Sequence, residues 1–184
     1  MPRLPLLALA SLLLAGCGNI SNVQSFSTPY TAPAAAEAAR VRVYTNGMAR
    51  GVPAHDCVDW RVPGAGVIAV ARKGFANRNG QTLGMPASAL SRTPHDADWI
   101  GSEIQVPAGK PFVFHLLSLS TKDYGRAAQC GGAFTFTPQA GKDYEMVMLE
   151  TASQCTFDLK QLSGAEEVKV PLTRVGLCSW TDNL

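Results

Sequence analysis

Apolar and polar residues alternate with period two through much of the chain after residue 40, and Gly, Pro and Asn separate the alternating runs. That spacing predicts strands rather than helices. Arg40 to Tyr44 alternates Arg with Val41 and Val43, and Val67 to Arg72 sets Val67, Ala69 and Ala71 against Ile68 and Val70. Asn79-Gly80 is a two-residue hairpin signal, predicting that Gln81 to Leu83 folds back onto a strand ending near Phe75. Glu103 to Val106 is short and alternating, and Pro107 to Pro111 turns the chain into Phe112 to Ser120, the most hydrophobic run. Phe134 and Phe136 then share a face, as do Tyr144, Met146 and Met148, then Cys155, Phe157 and Leu159, and finally Val168, Val170 and Leu172. About seven or eight short strands separated by turn signals predict an all-β fold, an immunoglobulin/transthyretin-like antiparallel sandwich. No segment after residue 40 has a strong helical period.

The start of the chain follows a different pattern. Arg3 precedes an apolar stretch, Leu4 to Ala15, that is shorter than the roughly 20 residues a membrane-spanning helix needs. Its length and flanks fit a secretory signal peptide. Leu13-Leu14-Ala15-Gly16-Cys17 resembles a bacterial lipobox, the site where a cysteine is lipidated and the preceding peptide is removed. The resemblance implies residues 1–16 as a lipoprotein signal peptide, Cys17 as the lipidated N-terminus and the outer membrane as the location, since Gly18 is not the Asp that marks inner-membrane retention. Residues 17–39 are rich in Ser, Thr, Pro and Ala and read as a flexible tether of about 25 Å end to end. Residues 40–184 are then one sandwich domain.

Exported cysteines oxidise. With Cys17 assigned to lipid, Cys57, Cys130, Cys155 and Cys178 remain, an even number that reads as two disulfides. The expected pairs are Cys130–Cys155 and Cys57–Cys178. If residues 130–137, 143–150 and 154–162 form a meander, Cys130 and Cys155 begin strands running the same way, roughly 10 Å apart in one flat sheet. That is beyond disulfide range. A bridge therefore requires Cys130 to sit on the Gly131-Gly132 bend before its strand, or the strands to lie in different sheets.

Charge adds little. The formal net charge is +2, and loss of Arg3 with the leader lowers it further. No Lys/Arg cluster suggests nucleic acid. Gly64-Ala65-Gly66-Val67-Ile68-Ala69 matches a dinucleotide-binding fingerprint only superficially, because a Pro precedes it and a β-type run follows. His55-Asp56-Cys57-Val58-Asp59 and His95-Asp96-Ala97-Asp98 carry groups that could hold a divalent ion, without a repeated spacing to fix ligands. His115 lies on the side of its strand shared with Val113 and Leu117 and reads as a half-buried, hydrogen-bonded residue. No known catalytic motif is present, and no cofactor or metal is expected.

Lys73 to Asp98 is long for a connection in a compact domain. Met85, Leu90, His95, Asp96, Asp98 and Trp99 are the candidate binding surface on it. The competing reading is an insertion packed over the sandwich edge, covering it against strand-to-strand aggregation.

Cys130, Phe134-Thr135-Phe136-Thr137-Pro138, Gly141-Lys142-Asp143-Tyr144-Glu145 and Cys155 give the domain a resemblance to small, mostly uncharacterised proteobacterial outer-membrane lipoproteins with β-sandwich domains. That group implies the fold and the location but no agreed activity. The lipoprotein of type VI secretion systems is another lipid-anchored sandwich, and no motif here selects it. The expectation is a non-enzymatic binding or scaffolding module, anchored in the outer membrane and facing the periplasm. Its partner is another envelope protein, met through loops or a free sheet edge. A small-molecule or metal-binding lipoprotein is the second expectation, and a hydrolase lacking recognisable motifs the third.

Overall fold

The computed structural model describes residues 23–34, 37–118, 130–151, 154–164 and 166–179. The expected signal peptide (residues 1–16), Cys17, Ser120 and Thr121 lie outside them. Ten strands are described, in chain order: β1 (Ala38–Thr45), β2 (Met48–Pro53), β3 (Gly66–Val70), β4 (Ile100–Pro107), β5 (Phe112–Leu117), β6 (Gly131–Phe136), β7 (Asp143–Glu150), β8 (Cys155–Ser163), β9 (Glu166–Lys169) and β10 (Thr173–Val175). They form two five-stranded sheets, β4-β1-β7-β8-β9 and β10-β6-β5-β2-β3. Val41, Val43, Ile104, Tyr144, Met146 and Leu159 of the first sheet share one core with Ala49, Ile68, Phe112, Phe114 and Phe136 of the second. The fold is the expected all-β sandwich.

Three details of the expected topology differ. The strands number ten, in part because the alternating Val168–Leu172 run stops being strand after Lys169 and, past Pro171, leads into a separate β10 in the other sheet. The sandwich is also not wholly antiparallel, since β1 and β7 pair in parallel, Val41 opposite Tyr144 and Val43 opposite Met146. The cause is the turn after β6. Instead of closing a hairpin it crosses between sheets and enters β7 beside the start of β1, where the Gly141 N–H donates to the Ala38 carbonyl. Finally, Asn79-Gly80 makes no hairpin on β3. Arg78 N–H donates to Ile68 of β3, whereas Gly80 N–H donates to Gly101 of β4 and Gln81 accepts from Glu103 N–H. The segment thus links the edge of one sheet to the edge of the other.

Both disulfides are the expected ones. Cys130 immediately precedes β6 and Cys155 opens β8 in the opposite sheet, and their Cα atoms are 5.5 Å apart. Crossing between sheets removes the in-sheet distance problem. Cys57 and Cys178, with Cα atoms 5.0 Å apart, join the loop after β2 to the C-terminal segment. There Val58 and Leu177 form a parallel bridge.

The segment expected to be a tether is packed on the sandwich across residues 23–34. Residues 23–27 are helical, and Phe26 packs against Met48, Val67 and Val70 on the outer face of the second sheet. Pro29 then bridges Val67 in parallel. Tyr30 is 2% exposed in the main core, and its hydroxyl donates to the Gln105 carbonyl at 2.9 Å. Gly64 and Gly66 make room for this approach, because a Cβ at either would collide with the carbonyl oxygen of Thr31 or Thr28. The glycines that mimicked a nucleotide fingerprint clear a track for backbone.

Candidate functional site

Outward-facing residues of β1 organise the outer face of the first sheet. Val41 and Val43 point to the core, so Arg40, Arg42 and Tyr44 point away from it. Strand register sets Glu103 of β4 and Glu145 of β7 directly beside Arg42. It likewise sets Asp143 beside Arg40 and Gly101 beside Tyr44.

The connection between β3 and β4 lies across this row as a strap. Arg42 Nη2 sits 2.7 Å from Glu103 Oε1, and Nη1 sits 3.4 Å from Glu145 Oε2. The same guanidinium donates to the carbonyls of Met85 and Pro86, at 3.2 and 3.0 Å. The other oxygen of Glu103 accepts from the N–H groups of Leu83 and Met85. Ser88 hydroxyl donates to Glu145 at 2.6 Å. One bend upstream, Arg40 holds Asp143 with two bonds of 2.6 and 2.8 Å and donates to the Leu83 carbonyl. Burial works against the Arg42 charge, but the bonds to Glu103 outweigh it and the net shift of its pKa is upward. Burial would also raise the Glu103 carboxyl, yet the Leu83 N–H and the Arg42 guanidinium hold it below its usual range. Residues 83–88 are therefore locked down by satisfied charge.

Beyond the lock, the strap makes a short 3-10 turn over Leu90–Arg92 and brings three rings together. The His95 imidazole stacks on Trp99, centroids 5.0 Å apart and planes 13° apart. It also lies 4.9 Å from the Tyr44 ring. His95 Nε2 is buried with no hydrogen-bond partner among the described residues. Asp96 and Asp98 are exposed at the rim, and the Asp96 carbonyl accepts from Trp99 N–H at 3.0 Å. Beside Tyr44 and the lock lies a cavity of about 270 Å³, bordered by Tyr44, Gln81, Thr82, Ser91, Gly101 and Glu103. This arrangement offers ring faces for stacking, a buried ring nitrogen without a hydrogen-bond partner among the described residues, and exposed carboxylates on the neighbouring Asp96 and Asp98.

Of the six residues expected as a binding surface, the structure thus gathers His95 and Trp99, with Asp96 and Asp98 beside them. Met85 is buried, its backbone serving the lock. Leu90 is half-buried in the short turn. Tyr44 was missed, although its sequence signal was available: it occupies the outward phase of the Arg40–Tyr44 alternation, where a third polar residue would be ordinary. The competing reading also describes the strap well, because Gly80 and Gln81 cover the edge of β4.

The two Asp-His clusters lie on opposite faces of the sandwich and cannot share an ion. His95 is over the first sheet, whereas Val58 and Trp60, which follow His55, pack on Val52 and Val113 of the second. Asp59 is engaged by Arg61 at 2.8 Å, and that hydrogen bond holds its carboxyl below the usual range. Among the described residues no group of three or more His, Cys, Asp and Glu could hold a metal ion.

His115 sits at the centre of a different constellation. Arg50 of β2 is 2% exposed and lies between two ring faces, 3.7 Å from the Trp60 centroid and 4.1 Å from that of Phe26. It donates to the Ser25 hydroxyl and, at 3.3 Å, approaches His115 Nδ1. Burial lowers the Arg50 pKa to about 9. Burial, then the Arg50 charge, lowers that of His115 to about 3. His115 is thus neutral and presents a bare Nδ1 as acceptor. No local pattern announces this cage, because its members come from four separate segments.

Sheet edges offer less to a partner strand than expected. Thr28 and Tyr30 bond along β3, and Gly80 and Gln81 along β4. The β9 edge is four residues long and carries Glu166, Glu167 and Lys169, and β10 spans three residues. Among the described residues no helix is long and apolar enough to cross a membrane. The chain matches no protein-family model, and no curated protein and no solved structure is detectably similar to it.

Proposed function

We propose that the chain is a lipid-anchored protein of the bacterial cell envelope, held in the outer membrane through Cys17, that binds another envelope protein through the Tyr44–His95–Trp99 face. The observation that carries this reading is the pairing of an aromatic cluster with a rigid mount. Residues 83–88 are fixed by buried ion pairs, so the rings that follow are positioned in advance of binding, which lowers the entropy cost of association. Tyr and Trp are also the side chains that most often anchor protein interfaces. Covered edges at β3 and β4 favour this face over strand addition. Two exported disulfides fit the same compartment.

In-cell photo-crosslinking tests the proposal. A photoreactive residue at Asp98 is expected to capture a discrete envelope protein, and Trp99→Ala is expected to remove that adduct. Adducts formed equally from Arg61, on the opposite face, would overturn it. Membrane fractionation after a high-salt wash tests the anchor separately: Cys17→Ser should move the protein to the soluble fraction.

The cavity beside Tyr44 supports a second reading. At about 270 Å³ it approaches the roughly 300 Å³ at which small-molecule pockets begin. Native mass spectrometry of the purified protein would show a retained ligand as a fixed mass increment that Tyr44→Ala abolishes.

A further inference from the structure

β8 is long and its outer neighbour is short. β9 is in register with residues 160–163 of β8 only. Val170 N–H donates one more bond, to the Leu159 carbonyl. The chain then leaves and, past Pro171, joins the second sheet as β10. Residues 155–158 of β8 are therefore an edge with no strand beside it among the described residues. What that edge offers follows from parity, since the N–H and C=O of alternate residues point to alternate sides of a strand. The Leu159 carbonyl points away from β7, so the backbone groups of Phe157 and Cys155 do too. Among the described residues neither makes a hydrogen bond on that side. An open cavity of about 540 Å³ lies along the edge, lined by residues 154–158 and Lys169. Nothing like the cover over β3 and β4 is laid along it by the described residues. The usual guards are weak as well: the run has no proline, and the one charge, on Asp158, is met by Lys169 at 3.3 Å.

Side chains divide the edge into two faces. Thr156 and Asp158 point outward, whereas Cys155 and Phe157 point inward, Cys155 to its disulfide with Cys130 and Phe157 to the Phe134 ring at 4.3 Å. A second copy of the same edge, laid antiparallel and centred on Thr156, fits these features. Cys155 and Phe157 of each copy then exchange both backbone hydrogen bonds with Phe157 and Cys155 of the other. Thr156 faces Thr156, and Asp158 faces the Gln154 amide, so no like charges are opposed. On the inner face each Phe157 lies beside the other copy's Cys155, apolar against apolar. Centring on Phe157 instead fails, because it sets Cys155 against Leu159, whose free side Val170 occupies. A foreign strand would satisfy the same backbone groups, but the side-chain match favours a second copy.

We propose that this edge is a homodimer interface, in which two copies pair antiparallel through residues 154–158 about a two-fold axis at Thr156. The two first sheets then run on as one. Residues opposite each other across such a pair share a face, so the outward faces of both copies point the same way. Where the Tyr44–His95–Trp99 face binds a partner, as proposed above, the dimer sets two such faces on one side, and a partner with two sites gains effective concentration.

Cysteine crosslinking of the full chain in bacteria tests the register. Two Thr156 residues would form a non-hydrogen-bonded pair, with Cα atoms about 4.5 Å apart, within disulfide range. Asp158 would stand roughly 14 Å from its own counterpart, out of range. Mild oxidation is therefore expected to give Thr156→Cys a band of twice the chain's mass on non-reducing electrophoresis, and Asp158→Cys none. Copies carrying Asp158→Cys mixed with copies carrying Gln154→Cys should crosslink again. The unsubstituted chain is the blank, and peptide mapping checks that both native disulfides are kept. Sedimentation of the purified protein adds a second readout. Thr156→Lys opposes like charges at an exposed position and should raise the dimer dissociation constant about fivefold. Equal bands from Thr156→Cys and Asp158→Cys would mark random collision and overturn the proposal. So would no band from Thr156→Cys, a crosslinked product of another mass, a purified protein that stays monomeric, or a dissociation constant unmoved by Thr156→Lys. The Asp98 adduct is read separately, so failure of the dimer and failure of the partner face give different results.

Discussion

Arg42 and Arg50 occupy equivalent places in the two sheets. Each lies on the outward face of a strand, buried beneath a segment that crosses from elsewhere, at 7% and 2% exposure. Their solutions differ. Arg42 has two carboxylates and two strap carbonyls around it, so its charge is met by ion pairs and hydrogen bonds. Arg50 has two aromatic faces, a hydroxyl and a neutral imidazole, and its Nε has no hydrogen-bond partner among the described residues. An ion-paired arginine is costly to delete, because its carboxylates stay behind. An arginine held by rings leaves behind apolar surface and two uncharged polar groups, the Ser25 hydroxyl and His115 Nδ1.

The largest expected effect follows directly. Arg42→Met strands Glu103 and Glu145 beneath the strap and is expected to cost about 3–5 kcal/mol. Arg50→Met forfeits two cation–π contacts, of the order of 2 kcal/mol, but also removes a buried cation whose desolvation is of similar size. Its net effect is expected to stay within about 1 kcal/mol of the native protein. Urea denaturation with both disulfides intact measures the two differences. Similar losses from both variants would dissolve the distinction between the two faces.

The pH response should separate the faces next. His115 has a folded pKa of about 3 against an ordinary 6.5. Between those values the unfolded chain binds a proton that the folded one refuses, so stability falls as the pH drops below about 6.5. From pH 6.5 to 5 the loss is expected to be about 1–2 kcal/mol. Glu103 acts later, because its folded carboxyl lies below an ordinary 4.5, and the stability it lends is present above 4.5 and lost below. His115→Asn keeps an acceptor toward Arg50 but does not titrate. It should flatten the upper limb of the curve and leave the lower limb in place. Melting temperatures taken in steps from pH 7 to 3 would show both limbs, and an unchanged upper limb in His115→Asn would refute the assignment.

What the sequence disclosed follows the same division between faces. Where one face of a strand is core and the other polar, as in Arg40–Tyr44, alternation survives and the strand is legible. The β2 sequence Met48-Ala-Arg-Gly-Val-Pro53 shows no alternation because all six residues are buried, its outer face being covered by Phe26 and Trp60. The N-terminal segment failed to declare itself for a related reason. Its few bulky residues are too sparse to read as core, yet Tyr30 alone plugs the main core and Phe26 a satellite one. Of the candidate site, His95 and Trp99 were visible as an imidazole and an indole at the end of an overlong loop. Tyr44 was not, because contact across 51 residues is written in strand register rather than in local pattern.

The smallest effect on stability should be the most informative about the site. Tyr44 lies flat over Gly101, its register partner on β4. A Cβ at Gly101 would stand 3.0 Å from Tyr44 Cε1 and 3.3 Å from Cδ1, so the ring must give by a few tenths of an ångström. The obstacle is a side chain rather than backbone, so the ring can swing aside, and a strand Gly→Ala change recovers some backbone entropy. Gly101→Ala is therefore expected to change stability by less than about 1 kcal/mol. Tyr44 would nonetheless shift against His95. The His95 ring-proton shifts, now set by Tyr44 on one side and Trp99 on the other, should change while those of His115 do not. Crosslinking from Asp98 should weaken with them. If Gly101→Ala moves the His95 signals yet leaves the crosslink at full strength, Tyr44 belongs to the packing of the strap and the recognition surface reduces to His95 and Trp99.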